Sequence, residues 1–373
     1  MDIIGFVKKD YLLVISAFLA LISLFLVPFD TVMSYKYDRI LETICTLLLF
    51  LLIVAGLREC NALNKMAQLA LSNIKTTRAL CLVLILLPFF CAMLFSNDVS
   101  LLTFVPLAIA ILGMADMKRM MIVVVVLQTV AANVGSYLTP FGNPHNLYIF
   151  NLHDLYDFDL WKYEMKLIPI VAIGAIALLI MTMLIKNMPL DSRIQNNDEI
   201  KDKRVVFVLI ALFTLAIITV IDLIPFYITL IIFIIAFLIM MPKIFVKVNY
   251  SILFIFFFLF IFANGLTNME SVHSLISDLM AWDPMLTTVM TSQFTSNVPS
   301  TILLQPFTSD WGAVLVGADI GGFGTPIASM ASIISLKFYL QEEDSSILSY
   351  LKIFLLVNIV MLAVLIPTYY LFN

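Results

Sequence analysis

Asp98 and Asp319 stand in stretches of the chain that are otherwise almost wholly apolar, each among side chains able to hold a small ion. Four short patches carry this chemistry. "SNDVS" supplies Ser96, Asn97 and Asp98. "ANVGSYLTPFGNPHN", which begins at Ala132, supplies Asn133, Gly135, Ser136, Thr139, Gly142, Asn143 and Asn146. "SNVPS" supplies Ser296 and Asn297, and "ADIGGFGTPIAS", from Ala318, supplies Asp319, Gly321, Gly322 and Thr325. Hydroxyl, amide and carboxylate oxygens are hard ligands that suit a small cation. A carboxylate can also carry a proton, and glycines give the backbone unusual angles. These residues are the candidate substrate- and cation-binding set, with His145, Ser300 and Ser329 as secondary members. No lysine or arginine falls among them, so an anion would rest on helix N-termini, hydroxyls, amides and a bound cation.

Each candidate also has a plainer reading. An ionisable side chain at membrane depth is costly and therefore a functional candidate, yet a carboxylate can also simply cap a broken helix. Both readings of Asp98 and Asp319 stand, and His145 is open between packing and function. Asp116, beside Lys118 and Arg119, fits a solvated hairpin end; Asp283, Asp310, His153 and His273 fit loops. Cys45, Cys60, Cys81 and Cys91 form no CxxC pair and lie in or beside apolar runs, which favours packing over metal or disulfide chemistry. "GADIGGFG" follows no strand and lacks a Walker lysine, so it is not a nucleotide loop. Two intramembrane aspartates raise an aspartyl protease as a remote alternative, but Asp319 follows Gly317-Ala318 rather than Gly-x-Gly. No enzymatic activity is expected.

These patches need elements that carry them to membrane depth. Of 373 residues, 62% are hydrophobic and 12% charged, with a mean hydropathy of +1.06, so the chain reads as a polytopic all-α membrane protein. Spans are expected at about 11–29, 40–57, 119–150, 163–185, 204–221, 224–241, 249–266, 311–338 and 349–372. Lys8 and Lys9 precede the first of these, which is too long for a signal-peptide core and reads as a retained span. The stretches 79–117 and 281–309 each carry a polar break at mid-length and read as re-entrant hairpins. With a cytoplasmic N-terminus and an external C-terminus, seventeen of the 21 basic residues fall inside, leaving Lys36, Arg39, Lys162 and Lys166 outside. Trp161, Trp282 and Trp311 then share the outer interface. Treating 79–117 as a single crossing would reverse every later loop.

"ANVGSYLTPFG" and "ADIGGFGTPIA" align at one offset, which pairs Asn133 with Asp319, Gly135 with Gly321, Thr139 with Thr325 and Pro140 with Pro326. "SNDVS" and "SNVPS" pair at a slightly larger offset. The expected organisation is one transmembrane domain over 1–373. Repeat 1 covers about 11–186, a cytoplasmic linker about 187–203, a linking helix about 204–221, and repeat 2 about 223–373. In the expected topology the two repeats are inverted, each with a hairpin and a discontinuous helix, as in secondary transporters. Non-helical backbone at membrane depth is tolerated where protein covers it or it lines a wet cavity, so the breaks mark the site.

"SNDVSLLTFVPL", "ANVGSYLTPFGNPHNLYIF" and "SNVPSTILL…GADIGGFGTPIASMASIISLKFY" resemble the ion transporter superfamily, which includes divalent-anion/sodium symporters, citrate carriers, arsenite permeases and a sodium/proton antiporter family. They look most like its arsenite-permease-like branch of small bacterial inner-membrane permeases. The resemblance implies a secondary transporter of the bacterial inner membrane that moves a small anion or oxyanion of carboxylate or arsenite type. Coupling would be to H⁺ and/or Na⁺, with no other cofactor and no nucleic-acid partner, and relatives suggest a homodimer. Na⁺/H⁺ antiport is the alternative. The family's Ser-Asn-Thr hairpin tips map to Ser96-Asn97 and Ser296-Asn297. Implied Na⁺ ligand sets are Ser96, Asn97 and Asn143, and Ser296, Asn297 and Thr325. The chain departs from this pattern where Asp98 and Val298 replace the threonines, and where His145 stands for glutamine. A carboxylate can exchange protons and threonine cannot, so proton coupling is expected, with Asp98 as first carrier and Asp319 as second. Neutral arsenite, As(OH)₃, would sit beside two aspartates more comfortably than a trivalent anion.

Overall fold

A computed structural model of the chain describes residues 11–35, 37–71, 74–115, 117–153, 155, 159–190, 199–248, 250–342 and 345–372. Lys8, Lys9, Lys36, Asp116, Arg193 and most of the charged linker lie outside them. The first half comprises α1 (Tyr11–Leu26), α2 (Phe29–Met33), α3 (Tyr37–Glu59), α4 (Ala62–Leu71), α5 (Thr77–Phe95), α6 (Asn97–Met114), α7 (Lys118–Ser136), α8 (Pro144–Leu152) and α9 (Asp159–Met183). Next comes α10 (Lys203–Val220). The second half comprises α11 (Phe226–Met240), α12 (Ser251–Thr267), α13 (Glu270–Trp282), α14 (Pro284–Thr295), α15 (Asn297–Leu304), α16 (Trp311–Gly321), α17 (Met330–Tyr339) and α18 (Ile347–Phe372). Among the described residues there is no strand, only an isolated bridge between Thr76 and Pro189.

Among the described residues seven helices, α3, α5, α6, α7, α9, α10 and α18, are long and apolar enough to cross a bilayer. The surface bears this out: α11 buries Thr229, Phe233 and Phe237 while turning Ile231, Ile235, Leu238 and Ile239 outward. Outward apolar side chains and inward threonines suit a lipid solvent, in which satisfying polar groups is the main constraint. This is an all-α membrane protein.

Local sequence explains where the helices stop. The apolar run 119–150 splits between Ser136 and Pro144, and the run 311–338 splits between Gly321 and Met330. Pro140, Pro144 and Pro326 withhold donors and fix φ, while Gly324 adopts φ +110°, a conformation glycine tolerates. Asp202, Asp283 and Asp310 cap α10, α14 and α16 by accepting backbone N–H bonds from the first turn. Asp283 and Asp310 therefore have structural work as caps.

The stretches 79–117 and 281–309 each form a helical hairpin. The chain reverses at Ser96 (φ 85°, ψ 153°) and again at Ser296 (φ 77°, ψ 154°), so α5 packs on α6 and α14 on α15. The expected linker begins pinned to α5, since Thr77 accepts from the Met188 N–H at 3.0 Å and donates to the Lys186 carbonyl at 3.0 Å. Neither α4 nor α13 is anticipated by the hydropathy pattern, because both are short and mixed in polarity. α7 is the most buried of the long helices and α18 the least, so the first broken element is central.

Candidate functional site

Each hairpin tip touches the break of its own half. The Asn97 N–H donates to the Gly142 carbonyl at 3.2 Å, and the Asn297 N–H to the Ala328 carbonyl at 2.9 Å. Thr139 donates its hydroxyl to the Met93 carbonyl at 2.6 Å, and Thr325 to that of Gln293 at 2.8 Å. Within each tip, Ser100 donates to the Ser96 carbonyl and Ser300 to that of Ser296, both at 2.9 Å. Asn97 and Asn297 each accept from the following N–H, at 2.8 and 3.0 Å. The same contacts thus recur at positions matched by the two sequence offsets.

Glycine makes this closeness feasible. A Cβ on Gly135 would lie 2.1 Å from the Phe89 carbonyl oxygen, and one on Gly321 would lie 2.7 Å from the Ser292 hydroxyl. Gly142 would meet the Ser136 carbonyl at 2.1 Å. Gly322 has a milder contact, 3.2 Å from Asn297 Nδ2.

The halves meet at their breaks. Asp319, in the last turn of α16, is fully buried, and its Oδ1 lies 3.0 Å from His145 Nε2 and 3.5 Å from Asn143 Nδ2. His145 and Asn143 belong to the start of α8 and its cap, so the carboxylate faces a helix N-terminus, where negative charge is favoured. The matched contact runs from Ser329, capping α17, to Asn133 Oδ1 at 3.5 Å. Asn97 Nδ2 donates to the same Asn133 oxygen at 3.1 Å, and Asn143 Nδ2 donates to Ser136 Oγ at 2.6 Å. Tyr137 donates its hydroxyl to the Asp319 carbonyl and packs its ring on Phe323, its counterpart, with centroids 6.3 Å apart.

The structure therefore joins Asn97, Asn133, Ser136, Asn143, His145, Asp319 and Ser329 in one buried network. Asn146 lies beside Asp319, but neither of its amide atoms reaches hydrogen-bonding geometry. Asn133 Nδ2, His145 Nδ1 and Asp319 Oδ2 are likewise buried without a partner. Such atoms are costly unless something else meets them. Asp98 is only half-buried, and no hydrogen bond or ion pair joins its carboxylate to another described residue. Ser296 reaches Asn297 Oδ1 at 3.4 Å, while Thr139 and Thr325 are half-buried and committed to the hairpins. Sequence reasoning missed Gln293, whose Nε2 donates to the Gly321 and Phe323 carbonyls at 3.1 and 3.0 Å. It also missed Gln128, which donates to the Leu84 and Phe104 carbonyls at 2.8 and 3.2 Å. A lone glutamine in an apolar run is the signal that could have found Gln128; Gln293, among Thr291, Ser292 and Thr295, offers no such contrast.

With this geometry in view, comparison with known proteins decides the family. A model described as "Citrate transporter" matches residues 4–310. The chain belongs to the citrate transporter family. An uncharacterized transporter of Methanocaldococcus jannaschii is 30% identical over 309 residues, covering 79% of this chain and 80% of that protein. The inner membrane protein YbiR of Escherichia coli is 25% identical over 302 residues, 79% of each. The chain is thus a membrane transporter of the citrate transporter family that works in a bilayer on a transported substrate. Because the family transports rather than cleaves, the aspartyl protease reading falls away.

Proposed function

We propose that this transporter is a secondary carrier built from two inverted repeats, and that it moves a small, neutral or singly charged oxyacid across the cytoplasmic membrane with proton coupling at Asp319 and His145. The observation that carries this is the buried Asp319–His145 pair, which bridges the two breaks. A carboxylate and an imidazole can take up and release a proton where amides and hydroxyls hold none. The recurrence of tip-to-break contacts at matched positions supports the repeat, and the charge asymmetry of the loops supports the inversion, with the N-terminus inside. Both hairpins would then be re-entrant.

The site offers donors at Asn133 Nδ2 and Asn146 Nδ2 and acceptors at Asn146 Oδ1 and Asp319 Oδ2, all buried without partners. A cargo bearing both hydroxyls and oxygens fits that set. A trivalent anion such as fully ionised citrate would meet an unpaired carboxylate oxygen and no lysine or arginine. Na⁺ at Ser96, Asn97 and Asn143, or at Ser296, Asn297 and Thr325, remains part of the proposal as a co-transported ion. The lack of a basic side chain other than His145 in the set favours a second reading, Na⁺/H⁺ exchange with the ion itself as cargo. The test is a thermal-shift screen of the purified protein against mono-, di- and tricarboxylates, arsenite and NaCl across pH. Stabilisation by a neutral or singly charged oxyacid supports the first reading; stabilisation by Na⁺ alone supports the second. Stabilisation by a tricarboxylate that strengthens as pH rises contradicts both.

A further inference from the structure

A row of buried hydroxyls leaves the central network along α7 and α17. On α17, Ser332 and Ser335 follow Ser329 at intervals of one helical turn and share its face. On α7, Thr129 precedes Asn133 by one turn. The two helices are cross-linked twice, by Ser329 to Asn133 Oδ1 at 3.5 Å and by Thr129 Oγ1 donating to Ser335 Oγ at 2.7 Å. Ser332 lies between these links, fully buried, with its hydroxyl unpartnered. Beyond them Tyr350 of α18 is also fully buried with an unpartnered hydroxyl, beside Thr129. Its ring stacks on Tyr339, centroids 5.1 Å apart, and the Tyr339 hydroxyl accepts the Ser346 N–H at 3.1 Å at the exposed end of α17.

The fold does not demand the Thr129 and Ser335 hydroxyls. Under the repeat offset Ser335 corresponds to Ile149 and Thr129 to Leu315, both fully buried apolar residues on the matching helices α8 and α16. The same packing is therefore made elsewhere in the molecule with hydrocarbon. Two unpartnered hydroxyls in such a place cost stability.

Building on the proton-coupling reading above, we infer that Thr129, Ser332, Ser335 and Tyr350 form the proton passage between the Asp319–His145 pair and the face of the molecule at Tyr339. Each hydroxyl that accepts a proton on its oxygen releases its own to the next. The row is left chemically unchanged, and the proton taken from water at the Tyr339 end reaches the carboxylate or imidazole. Amides do not relay protons. The stretch past Asn133 and Asn146 is therefore crossed by water, which their unpartnered buried atoms suit. The other titratable groups on the elements packed around the row include Arg78, Cys81 and Cys91 on α5, Asp98 on α6, Lys118 and Arg119 at the start of α7, Lys162 and Lys166 on α9, Lys337 and Tyr339 on α17, and Lys352, Tyr369 and Tyr370 on α18.

The experiment needs no cargo. The full-length protein in detergent is subjected to a pH jump and followed by time-resolved infrared spectroscopy. The signal is the protonated-carboxyl band that disappears in Asp319→Asn. Tyr350→Phe, which keeps the ring stack, and Thr129→Val should each slow this band roughly tenfold or more while reaching the same final amplitude. Ser335→Thr, which keeps a hydroxyl, should stay fast. Equal final amplitude shows that the variants are folded. A wild-type rate in both Tyr350→Phe and Thr129→Val overturns the passage and leaves the coupling site standing. Absence of any Asp319-dependent band overturns the coupling site, and the passage with it.

Discussion

A carboxylate and an imidazole 3.0 Å apart, both fully buried, form the kind of pair whose members depend on each other. Removing one partner from a buried pair leaves an uncompensated charge, which typically costs about 3–5 kcal/mol. His145→Leu should therefore lower thermal stability strongly at neutral pH and much less in acid, where Asp319 can be protonated. Asp319→Asn should cost less, because a neutral amide can still meet His145. Differential scanning fluorimetry of the two variants across pH checks this, and equal losses at every pH would show that the pair carries no charge. Glycines supply a second residue-scale test. Gly135→Ala forces a Cβ onto the Phe89 carbonyl and should destabilise by about 1–3 kcal/mol. Gly113→Ala meets nothing within 4 Å and should be neutral or slightly stabilising. At this scale the sequence made Asn97, Asn133 and Asp319 legible as polar residues in apolar runs. It could not show that Asp319 lies against His145, because residues from two different broken helices meet only through tertiary packing. Nor could it show that Asp319 is fully buried with partners while Asp98 is half-buried without them among the described residues, a difference of packing rather than of residue type.

At the scale of elements, the two hairpin tips adopt a conformation that is almost the preserve of glycine. Ser96 and Ser296 hold it with a side chain attached, at a cost of about 1–3 kcal/mol each. Serine in such a place is explained if the hydroxyl is needed at the site. Ser96→Gly and Ser296→Gly should then leave stability unchanged or raise it while reducing transport, measured as melting temperature and flux on the same preparations. Full flux in both glycine variants would reduce the tips to turns. The breaks themselves could be read from Pro140, Gly142, Pro144 and Pro326, because those residues act on local backbone geometry. Spans such as α3, α9 and α18 followed from hydropathy. The helices α4 and α13 did not, since short amphipathic helices owe their existence to what they pack against.

Across the whole molecule, the matched contacts and the loop charges support the proposed carrier, whose halves would enter the membrane in opposite senses. Single cysteines near Ser96 should react from the cytoplasm, and those near Ser296 from outside, with impermeant reagents on sealed cells. Labelling of both tips from one side would remove the inversion. The central claim is that protons drive transport through Asp319. Flux into proteoliposomes under separately imposed proton and sodium gradients tests it most directly, using whichever oxyacid the thermal-shift screen selects. Wild-type accumulation should follow the proton gradient, and Asp319→Asn should still exchange cargo across the membrane but no longer respond to that gradient. Accumulation that follows sodium alone in the wild type, with Asp319→Asn responding to sodium as the wild type does, would contradict it.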